Sequence, residues 1–280
     1  MPSGEPCCRL CESTLAEKLF SKEGIDYCAC PNCGFRFSTP ERNANLVNAI
    51  DDYEDAYLQY LEPDNSDDVN FDALRRWMER TVPLAGRTLL DVGAGIGKLV
   101  RNLRCHGIDA SGLEPSQPLF SRFLAGDLVF QCGTIDTVAA DQRAFDVVTA
   151  FDVIEHVADP LTFLRGIASV LAPGGVLFLS TPDVQSLPAR LFGRRWHFYY
   201  RYHLSYFGPQ TLARAAAAQG FCVVDCRHRG RQRSIGYMIR YAAEFIGGAP
   251  APRWAGRFDG WYVPTNLFDT MFVALRRNAT

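Results

Sequence analysis

Lysine is nearly missing from this sequence: Lys18, Lys22 and Lys98 are the only lysines among 29 basic residues, so the positive charge is almost all arginine, as a GC-rich genome would produce. No run of about eighteen apolar residues occurs, which excludes a spanning helix of ordinary length. The start, Met1-Pro2-Ser3-Gly4-Glu5-Pro6, lacks the basic and apolar stretches of a secretory signal, and a cytoplasmic protein is expected. Widespread disorder is excluded as well, because 48% of the 280 residues are hydrophobic and 21% charged. That length suits one large domain with a small appendage. The net charge of -2 conceals an uneven distribution. Residues 41–80 carry eleven acids against four arginines, whereas residues 184–243 carry ten arginines against one acid, Asp225.

Ten cysteines are present, six of them within the first 33 residues. Thiols stay reduced in the cytosol, so this clustering points to metal rather than disulfides. Cys8-Arg9-Leu10-Cys11 and Cys30-Pro31-Asn32-Cys33-Gly34 form two C-x2-C knuckles at the spacing of a four-thiolate zinc ribbon. Four thiolates close the coordination sphere, which predicts a structural ion. Cys7 and Cys28 leave the register open, since either could replace a neighbour, and an iron–sulfur centre is a more distant option. Cys222 and Cys226 share a strand face and read as core, and Cys105 and Cys132 carry no separate signal.

The apolar run Thr88-Leu89-Leu90-Asp91-Val92 leads into Gly93-Ala94-Gly95-Ile96-Gly97 and then a helical pattern from Lys98 to Leu103. A second strand, Ile108 to Leu113, ends at Glu114, where an acid can hold both hydroxyls of a ribose. The spacing departs from a dinucleotide fingerprint, because the third small residue of G-x-G-x-x-G/A would fall on Lys98. Asp91 at the strand end would repel a pyrophosphate and attract an ammonium, while the loop amides at the helix start suit a carboxylate. S-adenosylmethionine carries all of these groups.

With these motifs the chain resembles the class I S-adenosylmethionine-dependent methyltransferases. The resemblance continues through Phe145-Asp146-Val147-Val148-Thr149-Ala150-Phe151-Asp152-Val153-Ile154-Glu155-His156-Val157 and Leu171-Ala172-Pro173-Gly174-Gly175-Val176-Leu177-Phe178-Leu179-Ser180-Thr181-Pro182. It is close over residues 85–183, and His203-Leu204-Ser205-Tyr206-Phe207 and Gln219-Gly220-Phe221 are similar to later elements. It implies an α/β fold, a Rossmann-like, seven-stranded and mainly parallel sheet in a three-layer sandwich, with a seventh strand near Thr270–Leu275 inserted antiparallel. It also implies cofactor contacts from Asp91, Gly93, Gly95, Gly97, Glu114, Pro115, Phe151 and Asp152. Cys132-Gly133-Thr134 stands where an acid often meets the adenine, so that contact stays open. The expected organisation is a zinc ribbon over 1–40, a helical linker or lid over 41–82, and a methyltransferase domain over 83–280. A ribbon ahead of such a domain is similar to a bacterial subfamily active in small-molecule and sugar tailoring.

Methyl transfer to oxygen or carbon requires removal of a proton, hence a general base or a metal that acidifies the acceptor. His156, in a helix expected straight after the fourth strand, is the candidate base. Asp152, Glu155 and His156 at i, i+3 and i+4 would share one face of that helix. A similar acid-x-x-Glu-His pattern binds a divalent ion in small-RNA 2'-O-methyltransferases and occurs in ubiquinone-pathway O-methyltransferases, so a catalytic cation there is an alternative, with His203 as a further ligand. Hydrogen bonding at the helix start is the plain structural alternative.

Insertions at about 183–208 and 229–268 are expected to cap the site. In the first, Arg190-Leu191-Phe192-Gly193-Arg194-Arg195-Trp196-His197-Phe198-Tyr199-Tyr200-Arg201 interleaves arginine with aromatics, which suits an anionic acceptor carrying a ring or sugar. The expected activity is O-methylation of a small anionic or sugar-containing biosynthetic intermediate, with nucleotide-, phosphate- and carrier-linked acceptors as the candidates. The alternatives are C-methylation of a sugar or natural product, RNA methylation, a membrane-surface acceptor approached by Tyr237-Met238-Ile239-Arg240-Tyr241, and a domain that binds the cofactor or a partner without turnover. The acidic 41–80 segment and the lack of an Asn/Asp-Pro-Pro-Tyr motif weigh against nucleic acid. Tyr53, Tyr57 and Tyr60 recur at helical spacing and suit a short helix over the cofactor.

Overall fold

The computed structural model describes residues 7–39, 67–140, 144–243, 250 and 252–279. Tyr53, Tyr57, Tyr60 and most of the expected 41–82 linker lie outside the described residues.

Seven strands form the central sheet: β4 (Thr88–Val92), β5 (Asp109–Glu114), β6 (Phe130–Cys132), β7 (Phe145–Phe151), β8 (Leu171–Pro182), β10 (Phe221–His228) and β13 (Thr270–Arg277). Their spatial order is β10-β13-β8-β7-β4-β5-β6. The pairs β4–β5, β4–β7, β5–β6 and β7–β8 are parallel, and β13 runs antiparallel to both β8 and β10. The seven-stranded sheet and its antiparallel last strand match the expectation.

Alternation along the strands builds two apolar layers, because successive side chains leave opposite faces of a strand. Leu89, Val147, Val176, Phe178, Phe272 and Ala274 face α1 (Asp67–Thr81) and α2 (Lys98–Cys105), where Trp77, Met78, Val100 and Leu103 are buried. Leu90, Val148, Leu177, Leu179, Val273 and Leu275 face α3 (Ile135–Ala140), α4 (Pro160–Val170) and α6 (Pro209–Ala218). The result is the three-layer sandwich.

The amino-terminal strands β1 (Glu17–Lys22), β2 (Ile25–Ala29) and β3 (Arg36–Thr39) make an antiparallel sheet that does not end with the ribbon. Its fourth strand is β9 (Ser205–Tyr206), from the first insertion, with Arg36 opposite Tyr206 and Phe37 opposite Ser205. The ribbon and this insertion also share an apolar cluster. Phe20, Ile25 and Tyr27 meet Trp196, Tyr199 and Tyr206, and Tyr27 and Tyr199 pack edge to face at 5.1 Å.

The reading of residues 190–201 as an arginine–aromatic surface holds in part: Phe192, His197 and Tyr200 are exposed beside the arginines, but the two rings at Trp196 and Tyr199 are not. Trp196 and Tyr199 are 0% and 2% exposed, turned into the cluster by the ribbon that packs on them. Arg190, Arg194, Arg195 and Arg201 remain exposed around α5 (Leu187–Phe192) and the turn after it. In the second insertion, β11 (Arg231–Ser234) and β12 (Tyr262–Thr265) form a hairpin, with α7 (Ile235–Tyr241) following β11.

Candidate active site and metal centre

The two knuckles are built alike. Cys8 N donates to Ser13 O and Glu12 N to Cys8 O at 2.9 and 2.8 Å; Cys30 N donates to Phe35 O and Gly34 N to Cys30 O at 2.9 and 2.8 Å. Each turn needs a left-handed residue four places after its first cysteine, which Gly34 supplies at φ 77° and Glu12 at φ 57°. Cys8 Sγ lies 3.6 Å from Cys33 Sγ, Cys11 Sγ lies 3.5 Å from Cys30 Sγ, and all four sulfurs fall within 4.8 Å of one another. A tetrahedral ion with sulfurs at about 2.3 Å would place them about 3.8 Å apart, so the donor set fits one. Burial pushes the Cys8 thiol up, whereas the Ser13 amide and the Asn32 side chain outweigh burial at Cys11 and bring it to about 7. Cys28 is buried on β2 and Cys7 exposed, both outside this set.

At the carboxyl end of β4, the loop through Gly93, Gly95 and Gly97 has left-handed backbone at all three glycines. A Cβ on Gly97 would lie 2.5 Å from the Phe130 ring, and one on Gly93 would lie 2.7 Å from Val153. The second contact presses the segment after β7 against the loop. Glu114 accepts from Gly95 N at 2.7 Å and Ser116 N at 2.8 Å, so loop and acid are tied together. Burial raises its carboxyl, opposed by those two amides. Asp91 accepts from Thr149 Oγ1 at 2.6 Å, and burial pushes its carboxyl up to about 7. Pro115 directly follows Glu114, and Phe151 ends β7 beside Trp77.

Residues 152–159 are turns rather than the expected helix. Asp152 has φ 55°, and α4 begins only at Pro160, where the Asp159 side chain accepts from Leu161 N and Thr162 N. Asp-Pro is itself a helix-start signal, and the residue before proline disfavours helical backbone. Asp152, Glu155 and His156 therefore do not share a helical face. Asp152 accepts from Ser180 Oγ at 2.6 Å and pairs with Arg231 of β11. Burial opposes its charge, but the Arg231 guanidinium and the Ser180 hydroxyl hold its carboxyl below the ordinary value.

A different trio comes together: ligand-type atoms of Glu155, His156 and His203 lie within 4.8 Å of one another. His156 Nδ1 donates to Tyr202 O and His203 Nδ1 to Phe198 O, each at 3.0 Å. A carbonyl can only accept, so both rings carry their proton on Nδ1 and keep Nε2 as the basic nitrogen. Burial lowers the pKa of His156, and burial beside His156 lowers that of His203 to about 3. Burial and the charge of Asp152 raise Glu155, opposed by its own backbone amide and the nearby Thr181 hydroxyl, and its buried Oε2 has no partner in good hydrogen-bond geometry among the described residues. An orphaned oxygen beside two oriented imidazoles fits a divalent cation as well as it fits acid–base work. Arg231, Ser180 and the ribbon contacts to this site carried no signal in the sequence, since each joins residues far apart in the chain. A cavity of about 360 Å³ lined by Thr88, Asp109 and Phe145 opens at the opposite, amino edge of the sheet, away from these groups.

A family model described as a methyltransferase domain matches residues 65–225, more than half of the chain. The chain belongs to the class I S-adenosylmethionine-dependent methyltransferases. This methyltransferase is 32% identical over 112 residues to a ubiquinone biosynthesis O-methyltransferase of Coxiella burnetii, covering 38% of this chain and 48% of the relative. It is 33% identical over 161 residues to a protein of the same name from a Methylobacterium species, covering 51% and 63%. The methyltransferase thus spans about half to three-fifths of the length of these curated relatives. Its fold is that of a SAM-dependent methyltransferase from Archaeoglobus fulgidus, with TM-score 0.50, 14% identity, and coverage of 74% of this chain and 94% of the other. No helix of the methyltransferase among the described residues is long and apolar enough to cross a membrane.

Proposed function

We propose that the protein transfers a methyl group from S-adenosylmethionine to an oxygen of a small biosynthetic intermediate, anionic or sugar-containing. The observation that carries this reading is the contact of Gly93 with Val153, which sets the Glu155–His156 turn against the glycine loop. The cofactor supplies a methyl activated on a cationic sulfur, so the protein's task is alignment and proton removal. Asp91 faces the amino-acid ammonium, and Glu114, with lone pairs beyond those used by Gly95 and Ser116, holds the ribose hydroxyls. Pro115 and Phe151 flank the cofactor. His156 Nε2 takes the acceptor proton while Tyr202 O fixes its tautomer. Exposed Arg201, next to Tyr202, supports an anionic acceptor, and the relatives named as O-methyltransferases favour oxygen.

Cys8, Cys11, Cys30 and Cys33 would hold structural Zn²⁺, in keeping with the reduced thiols of a cytoplasmic protein. A second reading has its own support in the orphaned Glu155 oxygen: Glu155, His156 and His203 would hold a divalent cation that acidifies the acceptor hydroxyl. Asp152, occupied by Ser180 and Arg231, stands outside that set.

The test is calorimetry with S-adenosylhomocysteine, followed by transfer of labelled methyl to hydroxylated acids and sugar nucleotides. Binding is expected. His156→Ala should lower turnover at least about 100-fold with cofactor affinity unchanged. Absence of binding heat would overturn the cofactor assignment, and near-normal turnover in the variant would remove His156 from the chemistry.

A further inference from the structure

The segment that delivers His203 is held from two sides. On one side, Leu204 N and Ser205 N both donate to Glu155 O, at 2.7 and 3.1 Å, and Tyr202 O receives the His156 ring. On the other side the ribbon supplies most of the partners, and Tyr206 Oη of the insertion itself also donates to His203 O at 3.0 Å. Ser38 Oγ donates to His203 O at 2.9 Å, Ser38 N donates to Leu204 O at 3.1 Å, and Arg9 reaches Leu204 O at 3.4 Å and Ser38 O at 3.1 Å. Lys22 Nζ caps Tyr199 O at 2.7 Å farther along the same strap.

Two features make this more than general packing. Ser38 is 1% exposed and His203 8% exposed, so the hydrogen bond between them is sheltered from water. Arg9 lies between Cys8 and Cys11, inside the first knuckle, so whatever fixes those two sulfurs also aims its guanidinium.

We propose that Ser38 and Arg9 of the ribbon are positioning residues for the Glu155–His156–His203 centre, so that the four-cysteine knuckle pair governs the reaction through the strap at residues 202–205. The inference rests on reading that trio as the acceptor-side centre. Neither residue is assigned contact with cofactor or acceptor. Each acts through backbone carbonyls of the strap, and a loosened strap shifts both imidazoles and the Glu155 backbone together. Misplacing reacting groups by about 1 Å costs on the order of 100-fold in rate, so a partial loosening should cost about tenfold.

The test uses the full chain and needs no acceptor in its first arm. Long-range nitrogen–proton correlation spectra resolve the five histidine rings, with His156→Gln and His203→Gln assigning two of them. In Ser38→Ala and in Arg9→Met, the His156 and His203 signals should shift or broaden while those of His106 and His228 stay in place, with metal content and S-adenosylhomocysteine affinity unchanged. Unmoved His156 and His203 signals in Ser38→Ala overturn the proposal, including where Arg9→Met loses its metal and unfolds. In the second arm, with labelled methyl transfer, kcat should fall about tenfold at constant cofactor KM. Equal losses of kcat, cofactor affinity and melting temperature would show a merely structural role and also overturn it. If the native protein transfers no methyl, the functional reading fails on its own, and the histidine spectra still decide whether the ribbon sets the trio.

Discussion

Read as the partner of the cofactor ammonium, Asp91 would convert burial into a pH-dependent affinity. Its carboxyl, at 4% exposure and hydrogen-bonded by Thr149, sits at about 7 in the ligand-free protein instead of the ordinary 3.8. In the ligand-free fold this is unfavourable to the charged form, so the folded state loses stability as pH rises from the unfolded value through about 7. An ammonium arriving beside Asp91 reverses the preference and pulls its pKa down. Above pH 7 the carboxylate is ready; below it, binding must expel a proton. The affinity for S-adenosylhomocysteine should therefore weaken up to about tenfold per pH unit below 7 and level off above 8. Calorimetry in buffers of different ionisation enthalpy should also detect the released proton near pH 6. Asp91→Asn should bind more weakly and lose this dependence. Gly97→Ala fails for a separate reason: at φ 78° its methyl would enter the Phe130 ring, and cofactor affinity should fall with the loop distorted.

Two ties join neighbouring residues of the β11–β12 hairpin to the rest of the fold. Arg231 pairs with Asp152, and Asn70 of α1 exchanges two hydrogen bonds with the Gln232 backbone at 3.0 and 2.7 Å. Arg231→Ala removes the first tie and leaves Asp152 with its Ser180 contact. Amide exchange at Gln232–Ser234 should then accelerate about tenfold or more, the equivalent of roughly 1.4 kcal/mol, while β4 and β5 exchange as before. Unchanged exchange in the hairpin would mean that the Asn70 clasp suffices alone. Elements whose signals are local were readable in the sequence. The β4–loop–α2 unit and Glu114 at the end of β5 follow from apolar periodicity and glycine spacing, whereas the antiparallel strand at β13 is implied by the family resemblance. The segment after β7 misled because its i, i+3, i+4 pattern is also available to a turn. Asp159-Pro160 marks the true helix start, and the left-handed backbone at Asp152 is only weakly signalled, since aspartate tolerates that conformation better than most residues but seldom adopts it. The β3–β9 pairing joins Phe37 to Ser205, and nothing local in either segment announces a partner so distant.

Across the whole molecule, the ribbon and the first insertion have no separate cores. Tyr27, Trp196, Tyr199 and Tyr206 are each almost fully buried against one another, and an aromatic side chain of this kind contributes several kcal/mol only while its partners stay folded. Metal analysis should find about one equivalent of zinc with no iron. A four-thiolate site fixes a segment with too little apolar surface to fold alone, so removing the ion should unfold residues 8–39 and strip one wall from the aromatic cluster. Tryptophan fluorescence reports this directly. Trp254 and Trp261 are already exposed, and Trp77 is buried beneath α1 against Phe178 and Phe272, leaving Trp196 as the residue whose surroundings depend on the ribbon. Chelation, or Cys8→Ser with Cys33→Ser, should shift the emission to the red, and Trp196→Phe should abolish most of that shift. The central sheet should survive, since α1–α4 and α6 fill most of its two layers and Phe35 and Phe37 of the ribbon add only to the margin of one cluster, and calorimetry should still detect the cofactor with affinity within about threefold, under 1 kcal/mol. A chelated protein with native emission and native turnover would show that the knuckles can open without disturbing the strap, and one that loses cofactor binding in parallel would show that ribbon and sheet fold as a single unit.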